Sequence, residues 1–413
     1  MSLLTDLRRA VRSLPAGGAL RQGLHTLIAQ AFGLTAWRRY GRNRHPAKPR
    51  PGPVCVVGFH RSVLGIGEAA RGYVEALRLA GGDVVAWDIS ALFGHEIRLD
   101  GASSADPPVE AAAMVLVLNP HELVQLVALA GAAPFRDRFC VGAWFWELET
   151  VPRSWRTAMR YVDEVWAASR FVADAVAVRA PPTLPIRVLP CPVPIFAVAP
   201  DRAALGLPED KVVVLTAFDV RSGFARKNPI AAVRAFRQAN ADGRAVMVCK
   251  AAGIDSAPDL VDQLKAEIGE GGDVRVLTDW LTGAQMDALI ASADIVLSLH
   301  RAEGFGLLPA QAMAAGKAVV ATGWSSNVDF MTPADSMLVD YVLVPVQDPQ
   351  GLYRGGRWAE PDIADAAAKL ASLIADAPAR TALGARARAA IAARLDPLLV
   401  GRQARAWLEP PKP

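Results

Sequence analysis

Three features of the sequence predict an α/β protein made of two doubly wound, Rossmann-like domains. Short apolar runs alternate with amphipathic stretches from residue 54 to residue 395. That alternation gives parallel sheets covered by helices. The chain has 413 residues, more than one core ordinarily serves, since domains of roughly 100–200 residues are the rule. A loose stretch at Leu189–Pro200, LPCPVPIFAVAP, divides the alternation into halves. Two such domains on one linker leave a cleft, and open α/β sheets bind ligands at the C-terminal ends of their strands. The expected divisions are a basic arm over 1–50, an N-terminal domain over 51–195, a C-terminal domain over 196–395 and a tail over 396–413.

The composition, 52% hydrophobic and 21% charged, is that of a globular protein. No run reaches the ~18 apolar residues of a membrane span. The net charge of +4 conceals an asymmetry: residues 1–50 carry ten Lys/Arg against Asp6 alone, so the remainder is at −5. The pI near 9.0 therefore gives no ground for nucleic-acid binding by the folded body. Leu20, Leu24, Leu27, Ile28 and Phe32 recur in the arm at helical spacing, ahead of Trp37, Arg38, Arg39, Tyr40, Arg42 and Arg44. This pattern suits peripheral contact with anionic lipid, the other reading being a solvated or locally packed leader. No apolar core of about 7–15 residues follows the early arginines, so the arm does not read as a secretory signal. Cys55, Cys140, Cys191 and Cys249 stand singly. They read as small core residues of a reducing, cytosolic compartment.

The N-terminal half opens after the proline-rich HPAKPRPGP. Strands are expected at Val54–Gly58, Val84–Ile89, Ala112–Leu118, Phe139–Phe145 and Val162–Ala167, with a helix after the glycine loop at Gly65–Gly67 and another over Ser169–Arg179. The C-terminal half gives strands at Val212–Phe218, Ala245–Lys250 and Val274–Leu277. Its helices are expected at Asn228–Asn240, Asp259–Ile268 and Gly283–Ser292, with closing helices at Ala359–Ala375 and Pro378–Leu395. Between them lies the stretch around which the half is organised, Asp294–Ser326. Ile295–Leu299 is a strand of the kind buried on both faces. The turn His300–Gly306 carries Glu303, and Pro309 suits a first helical turn, where its missing N–H is not needed. Gly316 stops that helix and Ala318–Ala321 begins the next strand.

Three loops carry residues suited to chemistry. Gly65, Gly67 and Ala70 form a G-x-G-x-x-A pattern with Asp88 about twenty residues on, the spacing of a dinucleotide fingerprint. Six residues, Phe59–Leu64, separate the strand from Gly65. The loop is thus too long for the tight turn of NAD binding, although a glycine loop before a helix can still approach a phosphate. The second loop, FDVRSGFARKNP at Phe218–Pro229, sets Arg221, Arg226 and Lys227 between a strand and a helix, and such cations suit a diphosphate. The third groups Glu303, Gly304, Phe305, Gly306 and Leu307 at a helix start that offers free amides to an anion. Gln311 lies one turn into that helix.

The order FDVRSGFARKNP, LTDWLTGAQMDALIASADIVLSLHRAEGFGLLPAQAMAAGKAVVAT and WAEP resembles that of retaining GT-B glycosyltransferases of family 4, the glycosyl transferases group 1. GFHRSVLGIGEAAR, VGAWFWELETVP and VDEVWAASRFVADAV resemble a bacterial subgroup associated with surface polysaccharide. The resemblance covers about residues 54–395 and implies the GT-B fold, two Rossmann-like domains facing across an interdomain cleft. It implies that Glu303 and the amides of Gly304–Leu307 meet the donor sugar, that Lys227 and Arg221 bind its diphosphate with Arg226 beside them, and that Gly65 and Gly67 approach the phosphates. The family's Glu-x7-Glu motif departs here at its second position, Gln311, where an amide would meet the ribose without charge. A family histidine near the sugar is absent from AWFWELE. Glu147 is the candidate substitute, Trp144 and Trp146 either line a sugar pocket or fill core, and His121 is a further candidate.

The resemblance thus implies transfer of a hexose, with retention, from a GDP-mannose or UDP-glucose type of donor to a glycan or lipid-linked glycan. Glu303, Lys227 and Glu147 would be the catalytic group. No D-x-D occurs in the sequence, so neither a metal nor any other cofactor is expected. The place of action would be the cytoplasm, at the inner face of the cell membrane if the arm binds lipid. A non-catalytic nucleotide-sugar-binding relative and an NAD enzyme are the other readings.

Overall fold

In a computed structural model the chain divides into two compact units. Unit 1 comprises Met1–Phe145, Thr150–Pro192 and Pro397–Pro413; unit 2 comprises Trp146–Glu149 and Val193–Asp396. The structure describes residues 28, 31–36, 38 and 47–410, except 102, 109, 132, 196, 197 and 352. Most of the basic arm, including Leu20, Leu24, Leu27, Trp37, Arg39, Tyr40, Arg42 and Arg44, lies outside the described residues.

Unit 1 is built on a parallel sheet of β1 (Val54–Gly58), β2 (Val84–Asp88), β3 (Ala113–Val117), β4 (Phe139–Trp144), β5 (Glu164–Ala167) and β6 (Ile186–Val188), in the order β2-β1-β3-β4-β5-β6. β3 and β4 are buried along their whole length, as apolar runs in a parallel sheet should be. Helix α1 (Gly65–Leu79) follows β1, α2 (Pro120–Ala130) follows β3 and α3 (Arg170–Ala177) follows β5. The Asn119–Glu122 capping box starts α2, supplying partners to amides that a helix start leaves without them.

Unit 2 repeats the plan. Its parallel sheet has the order β12-β11-β10-β7-β8-β9, with β7 (Val212–Asp219), β8 (Ala245–Ala252), β9 (Val274–Leu277), β10 (Ile295–Ser298), β11 (Ala318–Thr322) and β12 (Met337–Val339). The single-turn helix α4 (Phe224–Lys227) and α5 (Pro229–Ala239) follow β7, α6 (Pro258–Ile268) follows β8 and α7 (Gly283–Ser292) follows β9. Helix α8 (Leu307–Ala314) joins β10 to β11. The core runs through β7, β8 and β10, with Phe236 on one helix and Leu370 on another. From β7 the chain winds outward to β8 and β9, then crosses to β10 on the other side of β7. That reversal is a topological switch point, where strand ends diverge and leave room for a ligand.

Several elements differ from the sequence reading. Residues 357–361 form strand β14, paired antiparallel with β13 (Tyr341–Pro345), rather than the start of a helix. The helix α9 (Ile363–Ala375) begins only after Asp362, whose carboxylate caps the amides of Ala364 and Asp365. Helix α8 starts two residues before Pro309, at Leu307; proline is tolerated there because the first turn has no intrahelical use for its N–H. After α10 (Ala377–Arg394), the expected tail contains helix α11 (Pro397–Leu408), which packs on α1 within unit 1. Gly401 permits the approach, since a Cβ there would lie 1.8 Å from the Ala76 carbonyl oxygen.

Candidate functional site

The switch point of unit 2 holds a buried carboxylate between two cations. Glu303, in the turn after β10, is 6% exposed. Its Oε1 accepts from Lys227 Nζ at 2.5 Å and its Oε2 from Arg226 Nη1 at 3.1 Å. Both cations come from α4, after β7, so the two strands flanking the reversal supply the cluster. Burial alone would raise the Glu303 pKa, but Lys227 and Arg226 hold it down to about 2. Burial pushes the Lys227 ammonium below the usual lysine range against the pull of Glu303.

The two cations differ in freedom. Arg226 is 4% exposed, with Nη1 also bonded to Ala302 O and its Nε and Nη2 bonded to Ser222 O. Its guanidinium is a fixed counter-charge, burial opposing and the neighbouring carboxylates favouring its ionised form. Lys227 is 22% exposed along its side chain. Arg221 belongs to neither pair: its Nε and Nη2 form a fork on Asp219, the Nη2 bond at 2.7 Å. Gly253 makes room for that fork, because a Cβ there would sit 2.6 Å from Asp219 Oδ1 and 2.7 Å from Arg221 Nε.

Backbone geometry completes the site. Gly306 adopts φ 97° at the N-cap of α8, a conformation that glycine takes without strain, and no side chain caps the helix. The amides of Leu307 and Leu308 thus lack intrahelical partners. The helix dipole adds about half a positive charge there. Phe305 packs on Phe330 with ring centroids 5.2 Å apart, while Gln311 is half-buried one turn into α8. Glu303 N donates to Ser325 Oγ at 2.8 Å.

Sequence reasoning passed over the groups that brace this turn. His300 is fully buried, with Nδ1 3.0 Å from Ser298 Oγ and Nε2 3.0 Å from Asn327 Oδ1. Asn327 Nδ2 donates to Thr322 O, which leaves Oδ1 to accept, so His300 carries its proton on Nε2. Burial lowers the His300 pKa and keeps the ring neutral. Arg301 ties the turn to β14 through Glu360 and to α4 through Ala225 O. Tyr353, from the loop between β13 and β14, lies beside Arg226. A histidine closing an apolar strand run was a usable signal for the brace; nothing local marks Tyr353.

The remaining predicted residues fall as follows. Glu147 lies in unit 2, half-buried, where its carboxylate interacts with the Tyr353 hydroxyl and its charge acts on Arg226 and Lys227. Trp146 packs on Tyr353. Trp144 is fully buried against Trp155 in unit 1, which makes it core rather than pocket lining. The His121 side chain is 59% exposed at the start of α2. Gly65 and Gly67 belong to unit 1 and are not in a loop: Gly65 is the first residue of α1 and Gly67 lies in its first turn. A Cβ on Gly67 would lie 2.5 Å from Phe59 O, whereas nothing lies within 4 Å of one on Gly65. The Asp88 carboxylate accepts from Arg61 N and Ser90 Oγ. Loop bonds thus occupy one oxygen, Oδ1, of the acid a dinucleotide would need.

Residues 217–357 match the family described as Glycosyl transferases group 1. The match spans both halves of the cluster, Arg221–Lys227 and Glu303–Gln311. Solved structures resemble nearly the whole chain. HepE of Anabaena, in complex with UDP and glucose, is 16% identical, with 86% of this chain and 99% of that one covered at a TM-score of 0.62. Sucrose-phosphate synthase of Thermosynechococcus elongatus is 16% identical, covering 86% and 98% at 0.63. A glycosyltransferase of Rickettsia africae is 14% identical, covering 88% and 98% at 0.58. The chain has the GT-B fold of two Rossmann-like domains. No curated protein matches it in sequence. Among the described residues no helix is long and apolar enough to cross a membrane.

Proposed function

We propose that the chain is a glycosyltransferase that moves a hexose from a nucleotide-diphosphate sugar to a glycan or lipid-linked glycan, with retention and without a metal. The observation that carries this reading is the buried Glu303, gripped by Lys227 and Arg226 beside the uncapped start of α8. Lys227, Arg221 and the amides of Leu307 and Leu308 would take the diphosphate, whose charge grows as the sugar leaves. Preorganised donors of this kind contribute roughly 10²–10³-fold each to rate. Glu303 and the turn Gly304–Gly306 would meet the sugar hydroxyls, Phe305 would shape the turn and Gln311 would bond the ribose. Arg226 acts as the counter-charge of Glu303. Glu147 acts through Tyr353 and Arg226 rather than as a bond-making group. Gly65, with open space where a Cβ would be, keeps a proposed place at the phosphates. The HepE structures include a complex with UDP-glucose, which supports UDP-glucose as the first donor to try. Contact of the basic arm with anionic lipid at the inner face of the membrane would rest on its cations, since Phe32 of its apolar set is 1% exposed and therefore packed against protein.

The test is turnover of a donor panel, UDP-glucose and GDP-mannose included, by the full chain with and without EDTA. Hydrolysis or transfer that persists in EDTA and collapses in Lys227→Ala is expected. Nucleotide binding with no turnover of any donor would favour the non-catalytic reading, which the neutral Gln311 at the motif's second acidic position supports.

A further inference from the structure

We infer that Tyr353 is a positioning residue of this site: its ring holds the Arg226 guanidinium against Glu303, which frees Lys227 to leave that carboxylate for a diphosphate. The inference rests on the donor-site reading above. The loop joining β13 to β14, residues 346–356, is fastened to the segment that carries the cations. Gln350 Oε1 accepts from Phe224 N at 2.6 Å, and Gln350 Nε2 donates to Val220 O at 2.9 Å. Asp348 Oδ2 accepts from Tyr353 N at 3.0 Å.

These bonds fix the Tyr353 ring, whose centroid lies 6.0 Å from Arg226 Cζ, 5.8 Å from the Trp146 ring and 6.4 Å from that of Trp358. Gly223, which precedes α4, borders the ring: a Cβ there would lie 3.5 Å from Tyr353 Cε2, an ordinary packing distance. Glu147 faces the Tyr353 hydroxyl, and its charge also acts on Arg226.

The two cations on Glu303 cannot serve alike. When Lys227 turns to a diphosphate, Glu303 stays buried and charged only if a second cation remains; otherwise it must take up a proton. Arg226 is that second cation. The charged and titratable groups facing Glu303 are Lys227 and Arg226 from α4, the neutral His300 and, from the β13–β14 loop, Tyr353. Those facing Arg226 are Glu303, Glu147 and Tyr353. Loosening Arg226 should therefore couple diphosphate binding to proton uptake by Glu303. A general loss of packing would not.

The experiment is calorimetric titration of the full-length wild type, Tyr353→Leu, Tyr353→Met and Tyr353→Phe with UDP and GDP. It is run at pH 8 and pH 5.5, in buffers of differing ionisation enthalpy that count the protons taken up. Relative to wild type, which cancels the titration of the nucleotide itself, Tyr353→Leu should bind about tenfold more weakly at pH 8, recover toward wild type at pH 5.5 and take up extra protons. Tyr353→Phe, which keeps the ring but loses the hydroxyl that Glu147 faces, should show the same sign and a smaller size, and Tyr353→Met, which removes the ring, decides if the leucine variant does not fold. Wild-type proton uptake in the folded variants, whether affinity is unchanged or falls equally at both pH values, overturns the role of Tyr353. Failure of the wild type to bind either nucleotide overturns the donor-site reading itself.

Discussion

Each unit has one switch point, and the two differ in what their sequences place there. In unit 1 the reversal lies between β1 and β3, and the loop after β1 is closed by its own bonds. Arg71 donates to His60 O and Ser62 O, and Asp88 takes Arg61 N and Ser90 Oγ. In unit 2 the reversal lies between β7 and β10, and the strand ends hold a buried acid with two cations and an uncapped helix start. The same winding thus yields a self-satisfied loop in one sheet and a charge cluster in the other. Topology supplies the location, and the side chains after the strands decide whether charge is left there for a ligand.

The sharpest way to break this contrast is to remove Glu303. Glu303→Ala leaves Arg226 buried beside a void, and breaking a buried pair costs about 3–5 kcal/mol. Urea denaturation should show a loss of that order, and donor turnover should disappear. Glu303→Gln tests the charge alone. The Glu303 carboxyl is held at about 2 against an ordinary 4.5, a depressed pKa, so its contribution to stability is present above about 4.5 and is lost as pH falls toward 2. Acid denaturation of wild type should show that slope, and Glu303→Gln should lose it. An unchanged slope would show that the pair does not hold the carboxylate.

A smaller effect is expected one strand away. Gly253 sits at φ 67°, and its missing Cβ is what admits the Asp219–Arg221 fork. Gly253→Ala strains the backbone by about 1–2 kcal/mol and displaces Arg221. Donor KM should therefore rise severalfold and kcat should fall with it, since Arg221 is one of the donors that meet the growing diphosphate charge. An unchanged KM would remove Arg221 from the diphosphate site.

Much of this was readable in the chain, for physical reasons that also mark where reading stops. β10, α8 and β11 were legible because a strand buried on both faces must be a continuous apolar run, and IVLS and AVVAT are such runs. Glu303 and Lys227 stood out through their loops, yet their pairing joins residues 76 positions apart. No local pattern encodes such a distance. The β13–β14 hairpin was missed because YVLVP is largely exposed or half-exposed and offers no clean alternation. Tyr353 depends on Gln350 reaching back 126 positions to Phe224. Gly65 and Gly67 looked like one motif, whereas their surroundings separate them.

That separation gives the smallest and most discriminating prediction. Gly67→Ala would place a Cβ 2.5 Å from Phe59 O, a backbone atom that cannot swing aside, so a loss of about 1–3 kcal/mol is expected, as for other overpacked sites. Gly65→Ala meets nothing within 4 Å, and at the first helical position alanine is no worse than glycine, so the melting temperature should hold or rise slightly. If Gly65 has a place at the phosphates, the same substitution must still raise donor KM, because the added methyl fills the space that the phosphate needs. A stable Gly65→Ala protein with wild-type KM would confine the phosphate contacts to unit 2, and the loop after β1 would then be a purely structural counterpart of the one after β10.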